Sequence, residues 1–232
     1  MHLRETDSTN DRARELAEAG APHGTLVTAS SQSAGRGRQG RRWSAPAGSA
    51  LLMSLLLRSP PPLLPLIAAV AVCDVVGESA LIKWPNDVVL MRPSPNPDHL
   101  LLGKLAGILT EGRPQAGWAV LGIGLNVAVR LEELPLELRP IAATLGRGRN
   151  AIEPTLAQLL AALALRLEAP TAEVLNAWRA RDALYGREIA WSSGDRRGRA
   201  QGIDDVGRLL VALDDGGRVA LDAGEVHLES AV

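Results

Sequence analysis

The fold is decided by two long apolar runs, residues 100–111 (LLLGKLAGILTE) and residues 117–127 (GWAVLGIGLNV). The short segment that joins them contains Gly112, Pro114 and Gln115, which is a composition typical of a hairpin turn. The two runs therefore predict neighbouring strands, and they place a β-sheet at the centre of the molecule.

The sequence before this hairpin predicts further strands for the same sheet. Residues 50–57 form a continuous apolar run, as expected of a strand that is covered on both faces. Residues 24–30 and 80–84 predict shorter strands. Helices are predicted over residues 9–19, where Ser8 or Thr9 would cap the helix, and over residues 66–79, 154–168 and 171–182. Helices thus alternate with strands over most of the chain.

The sequence changes character near Tyr185. Short strand-like runs at residues 188–192, 199–203, 209–213 and 218–221 are separated by pairs of Gly and Asp residues, a pattern typical of a small all-β module. We therefore predict two domains, a large one over residues 1–184 and a small β domain over residues 185–232.

Composition excludes several classes of protein. The 232 residues carry a formal net charge of -1, with 46% hydrophobic and 22% charged residues, as in a folded globular protein. No apolar run is long enough to cross a bilayer, so a cytoplasmic protein is expected. The single cysteine, Cys73, cannot form an internal disulfide. An aromatic content of 3% is too low for a base-stacking sheet that binds single-stranded nucleic acid.

The segment from Ser31 to Trp43 (SQSAGRGRQGRRW) has a strong local excess of positive charge. It places four arginines among three glycines. Glycine lets backbone N–H groups approach a ligand, and the guanidinium fork matches phosphate oxygens. The pattern indicates a loop that binds an anion such as ATP or an adenylate. A solvated surface loop and a nucleic-acid-binding patch remain alternatives.

A second group of residues is polar but uncharged. Ser8, Thr9 and Asn10 are typical of a helix start, and that role alone would account for them. Together with Gln32 they could also supply the donors and acceptors that a buried neutral ligand requires.

Two lysines stand in apolar, strand-like surroundings. Lys83 opens the string KWPND, which on its own predicts a turn. Lys104 lies inside an apolar run, where an ammonium group needs a counter-charge, an anionic ligand or a path to water. Gly122 and Gly124 follow on the next run, where two glycines on one strand face favour close approach of a ligand or of another backbone.

These motifs, in this order and spacing, resemble the catalytic domain of the biotin protein ligase family over about the first two-thirds of the chain. The resemblance implies an α+β fold, in which a mixed β-sheet is flanked by helices as in class II synthetases and is followed by a small C-terminal SH3-like β-barrel. It also implies that a DNA-binding winged helix, present in some members, is absent here. The segment from Asp87 to Lys104 is longer than in the family and contains Pro93, Pro95 and Pro97.

The resemblance also assigns roles to individual residues. Biotin would be bound by Ser8, Thr9, Asn10, Gln32, Arg36, Gly37, Arg38, Lys104, Gly107 and Gly124. ATP or the adenylate would be bound by Arg36, Arg38, Arg41, Trp43, Asn86, Lys104 and Asn126. Lys104 and Arg38 would be the catalytic residues, Asp87 a base, and the metal ligands are unassigned.

The reaction implied is ATP-dependent and Mg²⁺-dependent ligation of biotin, through biotinyl-5′-AMP, to a lysine of a biotin carboxyl carrier protein or domain. A homodimer is expected from the family. No DNA partner and no membrane partner are expected. A lipoate or octanoate ligase or transferase is the nearest alternative enzyme, although the arginine-rich loop argues against it. A non-catalytic nucleic-acid-binding or nucleotide-binding module is the alternative from another class.

Overall fold

The computed structural model describes residues 1–93, 101–113, 117–191, 196–222 and 226–228. Pro114 and Gln115 of the predicted hairpin turn lie outside these residues, as do residues 94–100 of the long turn that follows Arg92.

Two β-sheets and four α-helices make up the described chain. The helices are α1 (Thr9–Glu18), α2 (Leu64–Val76), α3 (Ile152–Glu168) and α4 (Thr171–Arg179). The strands of the large sheet are β1 (His2–Leu3), β2 (Leu26–Ala29), β3 (Ala50–Arg58), β4 (Ala80–Lys83), β5 (Asp87–Arg92), β6 (Leu101–Arg113) and β7 (Trp118–Asn126). The strands of the small sheet are β8 (Glu188–Trp191), β9 (Arg196–Ile203), β10 (Leu209–Ala212), β11 (Arg218–Leu221) and β12 (Val226–Leu228).

The large sheet confirms the predicted central hairpin. Its strand order is β1-β2-β3-β7-β6-β5-β4, with β6 and β7 paired antiparallel. Only β1 and β2 pair in parallel among the described strands, so the sheet is mixed. In this register Gly107 lies directly opposite Gly124, which brings two strand positions without side chains together.

Helices cover the large sheet on both faces, which explains why its central strands are continuously apolar. Leu56 and Val120 pack with Ala13 and Ala17 of α1, whereas the neighbouring residues Leu57 and Leu121 face the main core with α2. Successive side chains of a strand point to opposite faces, so the two cores lie on opposite sides of the sheet. Helix α2 is buried over most of its surface because α3 and α4 pack against it.

The small C-terminal sheet is antiparallel, in the order β11-β10-β9-β8-β12, and SH3-like, but it does not close into a barrel over the described residues. It packs directly on the large domain. The indole N–H of Trp84 donates to the carbonyl of Gly207 at 3.1 Å, and Leu63 and Leu66 lie beside the same glycine. The apolar core continues across the junction between the two domains.

Several elements differ from the sequence prediction. Strand β5 was not predicted, because its residues follow a turn motif and lead into a proline-rich segment. Strands β1 and β12 are too short to give a periodic signal. Helix α2 begins at Leu64 and ends at Val76 rather than spanning residues 66–79, because Gly77 adopts a φ of 102° and terminates the helix. In the part of the chain that the structure describes, no helix is long and apolar enough to cross a membrane.

Candidate active site

A cavity of about 910 Å³ lies between the large sheet and the C-terminal sheet. It is lined by all fifteen residues to which the resemblance assigned a role in binding or catalysis: Ser8, Thr9, Asn10, Gln32, Arg36, Gly37, Arg38, Arg41, Trp43, Asn86, Asp87, Lys104, Gly107, Gly124 and Asn126. The structure thus brings the N-terminal polar group, the arginine-rich loop and the central strands around one space.

One end of the cavity is polar and uncharged. The start of α1 places Thr9 beside Gln32, whose Oε1 accepts the Thr9 backbone N–H at 2.7 Å and lies 3.0 Å from Thr9 Oγ1. Ser8 and Thr9 are both buried. Ser8 is the residue that precedes α1, but its side chain does not form the predicted cap.

Two residues that the sequence analysis missed support this end. Ser54 lies fully buried in the middle of β3, with its Oγ 2.8 Å from Thr9 Oγ1 and 2.6 Å from Asn10 Oδ1. Asn10 Nδ2 donates to Glu111 Oε2 at 2.9 Å and more weakly to the carbonyl of Leu109 at 3.4 Å. A serine inside an otherwise apolar strand was the signal that could have identified Ser54.

The arginine-rich loop folds back on itself at the rim of the cavity. The backbone N–H of Gly37 donates to the carbonyl of Arg41 at 2.8 Å across a turn of 3₁₀ helix at residues 38–40. Gln39 in that turn has a φ of 53°, in the left-handed region. Arg36 is tied to the body of the protein through Glu111 at 2.7 Å and Asp11 at 3.0 Å. The loop therefore reaches the cavity in a defined conformation.

The indole of Trp43 fills the space above the two facing glycines. A Cβ at Gly124 would lie 2.5 Å from Trp43 Cε2, and one at Gly107 would lie 3.0 Å from its Cζ3. Glycine at these two positions is what admits the ring. Lys104 Nζ lies 5.7 Å from the centre of the Trp43 ring, close enough for a cation–π contact.

A cluster of charged groups occupies the other end of the cavity. Lys104 Nζ forms an ion pair with Asp87 Oδ1 at 2.7 Å. Burial lowers the pKa of Lys83, and the nearby Lys104 and Arg41 lower it further, while Asp87 opposes the shift. Burial also lowers the pKa of Arg38, again opposed by Asp87. One carboxylate is thus shared among several cations.

Two asparagines in the cavity wall support the backbone around it. Asn86 Nδ2 donates to the carbonyl of Ile108 at 2.7 Å, and Asn126 Nδ2 donates to the carbonyl of Ala143 at 2.9 Å. Asn126 Oδ1 is buried and meets no donor among the described residues. A buried acceptor of this kind fits a ligand that brings its own donor.

The described lining carries a large excess of positive charge. Its cations are Arg36, Arg38, Arg41, Arg42, Lys83, Lys104 and Arg187, and its carboxylates are Asp87 and Glu188. Seven cations and two carboxylates line the same cavity. This excess of positive charge favours a polyanionic ligand such as a nucleoside triphosphate. Among the residues described, no cluster of three or more His, Cys, Asp or Glu side chains could hold a metal ion by itself.

Known protein families match two parts of this chain. The sequence model of the biotin/lipoate A/B protein ligase family matches residues 3–127, more than half of the chain. The chain belongs to this ligase family. The model of the biotin protein ligase C-terminal domain matches residues 190–228, within the small sheet.

Individual members of the ligase family match over nearly the whole chain. The biotin--[acetyl-CoA-carboxylase] ligase of Paracoccus denitrificans is 35% identical over 248 residues, covering 97% of this chain and 98% of the relative. The bifunctional ligase/repressor BirA of Bacillus subtilis is 33% identical over 231 residues, covering 90% of this chain and 68% of the relative. The structure of the biotin protein ligase from Aquifex aeolicus in complex with biotin and ATP matches with a TM-score of 0.77 at 27% identity, covering 100% of this chain and 98% of that chain.

Proposed function

We infer that this protein is an ATP-dependent biotin protein ligase, which joins biotin, by way of biotinyl-5′-AMP, to a lysine of a biotin-dependent carboxylase. The observation that carries this conclusion is the continuity of one cavity. A neutral polar end around Thr9 and Gln32 suits the ureido ring of biotin, and the cation cluster around Lys104 suits its carboxylate and the phosphates of ATP. The relative from Paracoccus denitrificans is named as a biotin--[acetyl-CoA-carboxylase] ligase.

Biotin enters the cavity with its ureido ring toward the polar end. The residues that we propose to contact biotin are Ser8, Thr9, Asn10, Gln32, Arg36, Gly37, Arg38, Lys104, Gly107 and Gly124. The nucleotide is held by Arg36, Arg38, Arg41, Trp43, Asn86, Lys104 and Asn126. This arrangement brings the two anionic groups together at Lys104.

In the first step a carboxylate oxygen of biotin attacks the α-phosphorus of ATP. The new P–O bond forms as the bond to the β-phosphate oxygen breaks, and pyrophosphate leaves. Lys104 and Arg38 hold the two anions in line and stabilise the charge that grows on the phosphoryl oxygens. No covalent bond to the enzyme is required.

We propose Mg²⁺ as the accompanying ion, bound mainly through the phosphates of ATP. This fits the donor set, because Mg²⁺ in nucleotide sites commonly takes only one or two protein carboxylates. Asp87 and Glu188 are the carboxylates that the described lining offers. Bound there, the ion would neutralise part of the phosphate charge.

In the second step the ε-amino group of the acceptor lysine attacks the acyl carbon of the adenylate and displaces AMP. The lysine must first lose a proton, and we propose Asp87 as the base. Closure of the arginine-rich loop over the adenylate would exclude water, because the mixed anhydride hydrolyses readily.

We further propose a boundary near Tyr185 between the catalytic domain, residues 1–184, and the small C-terminal domain, residues 185–232. The acceptor is a biotin carboxyl carrier protein or domain. We expect a cytoplasmic protein that forms a homodimer and has no membrane partner. We also expect no DNA partner, in keeping with the net charge of -1. Light scattering tests the expected homodimer, and a salt-dependent DNA-binding assay tests the expected absence of a DNA partner.

The function is tested by mixing the protein with biotin, Mg-ATP and a carboxyl-carrier domain and measuring the mass of the carrier. We expect the mass increase of one biotinyl group, and biotin-dependent exchange of pyrophosphate into ATP. Exchange with lipoate but not with biotin would assign the protein to lipoate ligation instead. Tight, salt-sensitive DNA binding without any exchange would indicate a non-catalytic nucleic-acid-binding protein.

A further inference from the structure

A chain of hydrogen bonds runs beneath the polar end of the cavity and out to the arginine-rich loop. It links Thr9, Ser54, Asn10, Glu111 and Arg36, with successive contacts of 2.8, 2.6, 2.9 and 2.7 Å. Its central members are buried, and the side chain of Glu111 is 20% exposed. This chain of hydrogen bonds joins the first turn of α1 to strands β3 and β6 and to the arginine-rich loop.

The chemistry of the side chains in this chain of hydrogen bonds limits which of them donates and which accepts at each contact. Glu111 is a carboxylate and only accepts, so Asn10 must turn its Nδ2 toward Glu111 and its Oδ1 toward Ser54. Ser54 has a single hydroxyl hydrogen and donates it to Asn10 Oδ1. The contact between Ser54 and Thr9 at 2.8 Å is then a hydrogen bond only when Thr9 is the donor.

This direction determines what the polar end offers a ligand. If Thr9 donates to Ser54, its hydrogen is not available to Gln32. Thr9 Oγ1 and Gln32 Oε1, 3.0 Å apart, are then two acceptors with no hydrogen between them. Such a pair is satisfied by an N–H group from a ligand, which is what a cyclic urea supplies.

The sheet is shaped around the central member of the chain. A Cβ at Gly122 would lie 2.1 Å from Asn10 Oδ1, so only glycine at that strand position leaves room for the amide. At the outer end Glu111 uses its second oxygen to hold Arg36. One carboxylate thus fixes both the orientation of the Asn10 amide and the position of the loop.

We propose that Ser54 and Glu111 are positioning residues for biotin, which act through Thr9 and Asn10 to present acceptors to the ureido N–H and which couple that end of the cavity to the arginine-rich loop through Arg36. The proposal rests on the function proposed above and goes beyond it, because neither residue touches the reacting atoms.

Glu111→Gln tests the proposal with almost no change in volume. A glutamine cannot accept from both Asn10 and Arg36. If its amide nitrogen faces Asn10, the Asn10 amide turns over, Ser54 then donates to Thr9, and the acceptor pair facing the ligand is lost. We expect the Kd for biotin, measured by calorimetry, to rise about tenfold. Ser54→Ala interrupts the same chain and should have a similar effect.

Asp11→Asn is the matched control. Asp11 also forms an ion pair with Arg36, at 3.0 Å, but it is not part of the chain of hydrogen bonds. We expect its Kd for biotin to stay within about twofold of the unmodified protein, since exposed ion pairs contribute little. The double variant Ser54→Ala/Glu111→Gln should bind biotin with a Kd no higher than that of the single variant with the higher Kd. The reason is that both changes interrupt the same chain of hydrogen bonds.

Three outcomes would overturn the proposal. They are an unchanged biotin Kd in Glu111→Gln, equal effects of Glu111→Gln and Asp11→Asn, and full additivity in the double variant. If Ser54→Ala does not fold, as judged by its thermal melting curve, Glu111→Gln and Asp11→Asn decide alone. A protein that binds no biotin before any substitution would instead overturn the proposed function.

Discussion

Trp43 lies directly against Gly124, so that a Cβ at that glycine would lie 2.5 Å from Cε2 of the indole. The contact joins the end of the arginine-rich loop to the central strand β7. We expect Gly124→Ala to push the indole into the cavity and to slow adenylate formation by about tenfold, a change of about 1.4 kcal/mol. Biotin-dependent exchange of pyrophosphate into ATP measures this effect.

Gly112→Ala controls for general distortion of the sheet. A Cβ there would lie 2.7 Å from the carbonyl oxygen of Trp118, a similar degree of crowding, but Gly112 does not line the cavity. If both variants lost activity equally, a strained hairpin and not the position of Trp43 would be the cause.

The ion pair between Lys104 and Asp87 allows the two chemical steps to be separated. We expect Lys104→Met to reduce adenylate formation by roughly 10²- to 10³-fold, because a group that stabilises the transition state is removed. Asp87→Asn should slow transfer from preformed biotinyl-5′-AMP to the carrier more than it slows adenylate formation. Single-turnover assays of each step measure the difference.

A different result would change the role of Asp87. Normal transfer from preformed adenylate by Asp87→Asn would remove its role as a base. An equal loss in both steps would show that Asp87 acts only by orienting Lys104 through their 2.7 Å contact.

The hydrogen bond from Trp84 to Gly207 connects the two domains. We expect Trp84→Phe to reduce the free energy of unfolding by about 1 kcal/mol more than Trp178→Phe does. Both indoles are buried, but the N–H of Trp178 meets no acceptor among the described residues. Denaturant unfolding of the whole chain measures both values, and equal losses would show that the bond across the junction contributes nothing.

Asp182 predicts a pH-dependent difference in stability. Burial raises its pKa to about 6, although the backbone N–H groups of Leu184 and Tyr185 oppose the shift. Between the ordinary pKa of 3.8 and about 6, the folded state therefore binds a proton that the unfolded state has lost. The contribution of the Asp182 carboxyl to the free energy of unfolding is therefore present at low pH and is lost as the pH rises through that range.

Asp182→Asn removes this titration while keeping a side-chain oxygen for the Leu184 N–H. We expect the stability of the variant relative to the unmodified protein to increase from pH 4 to pH 7, by at most about 3 kcal/mol. Thermal melting at a series of pH values measures the difference. A difference that stays constant with pH would contradict the raised pKa.

Much of the candidate site could be predicted from local sequence, because its parts are unusual on their own. Four arginines among three glycines indicate an anion-binding loop wherever it lies, and a lysine within an apolar strand requires a counter-charge or a ligand. The apolar run of β3 likewise predicted a strand buried on both faces, and the two cores confirm it.

Glu111 and strand β5 could not be predicted, since nothing local distinguishes them, and the local signal of Ser54, a serine within an apolar strand, does not reveal its partners. Ser54 is important only because β3 runs beneath the start of α1, and Glu111 only because the register of β6 and β7 brings it beside Asn10 and Arg36. Strand β5 forms because an edge of β6 is available to pair with it. These relationships depend on residues far apart in the chain.

The sequence by itself determined the two-sided central strands, the helices that cover them, the β-rich C-terminal end and the residue types needed to bind a neutral ring and an anion. Their cause is local: hydrophobic periodicity, glycine and proline at turns, and the cost of burying charge. Only the tertiary structure decided that the polar group, the loop and the lysines share one cavity, and that hydrogen bonds run in one direction beneath it. Those features depend on strand register and on packing between segments up to about 100 residues apart, and no local pattern encodes such distances.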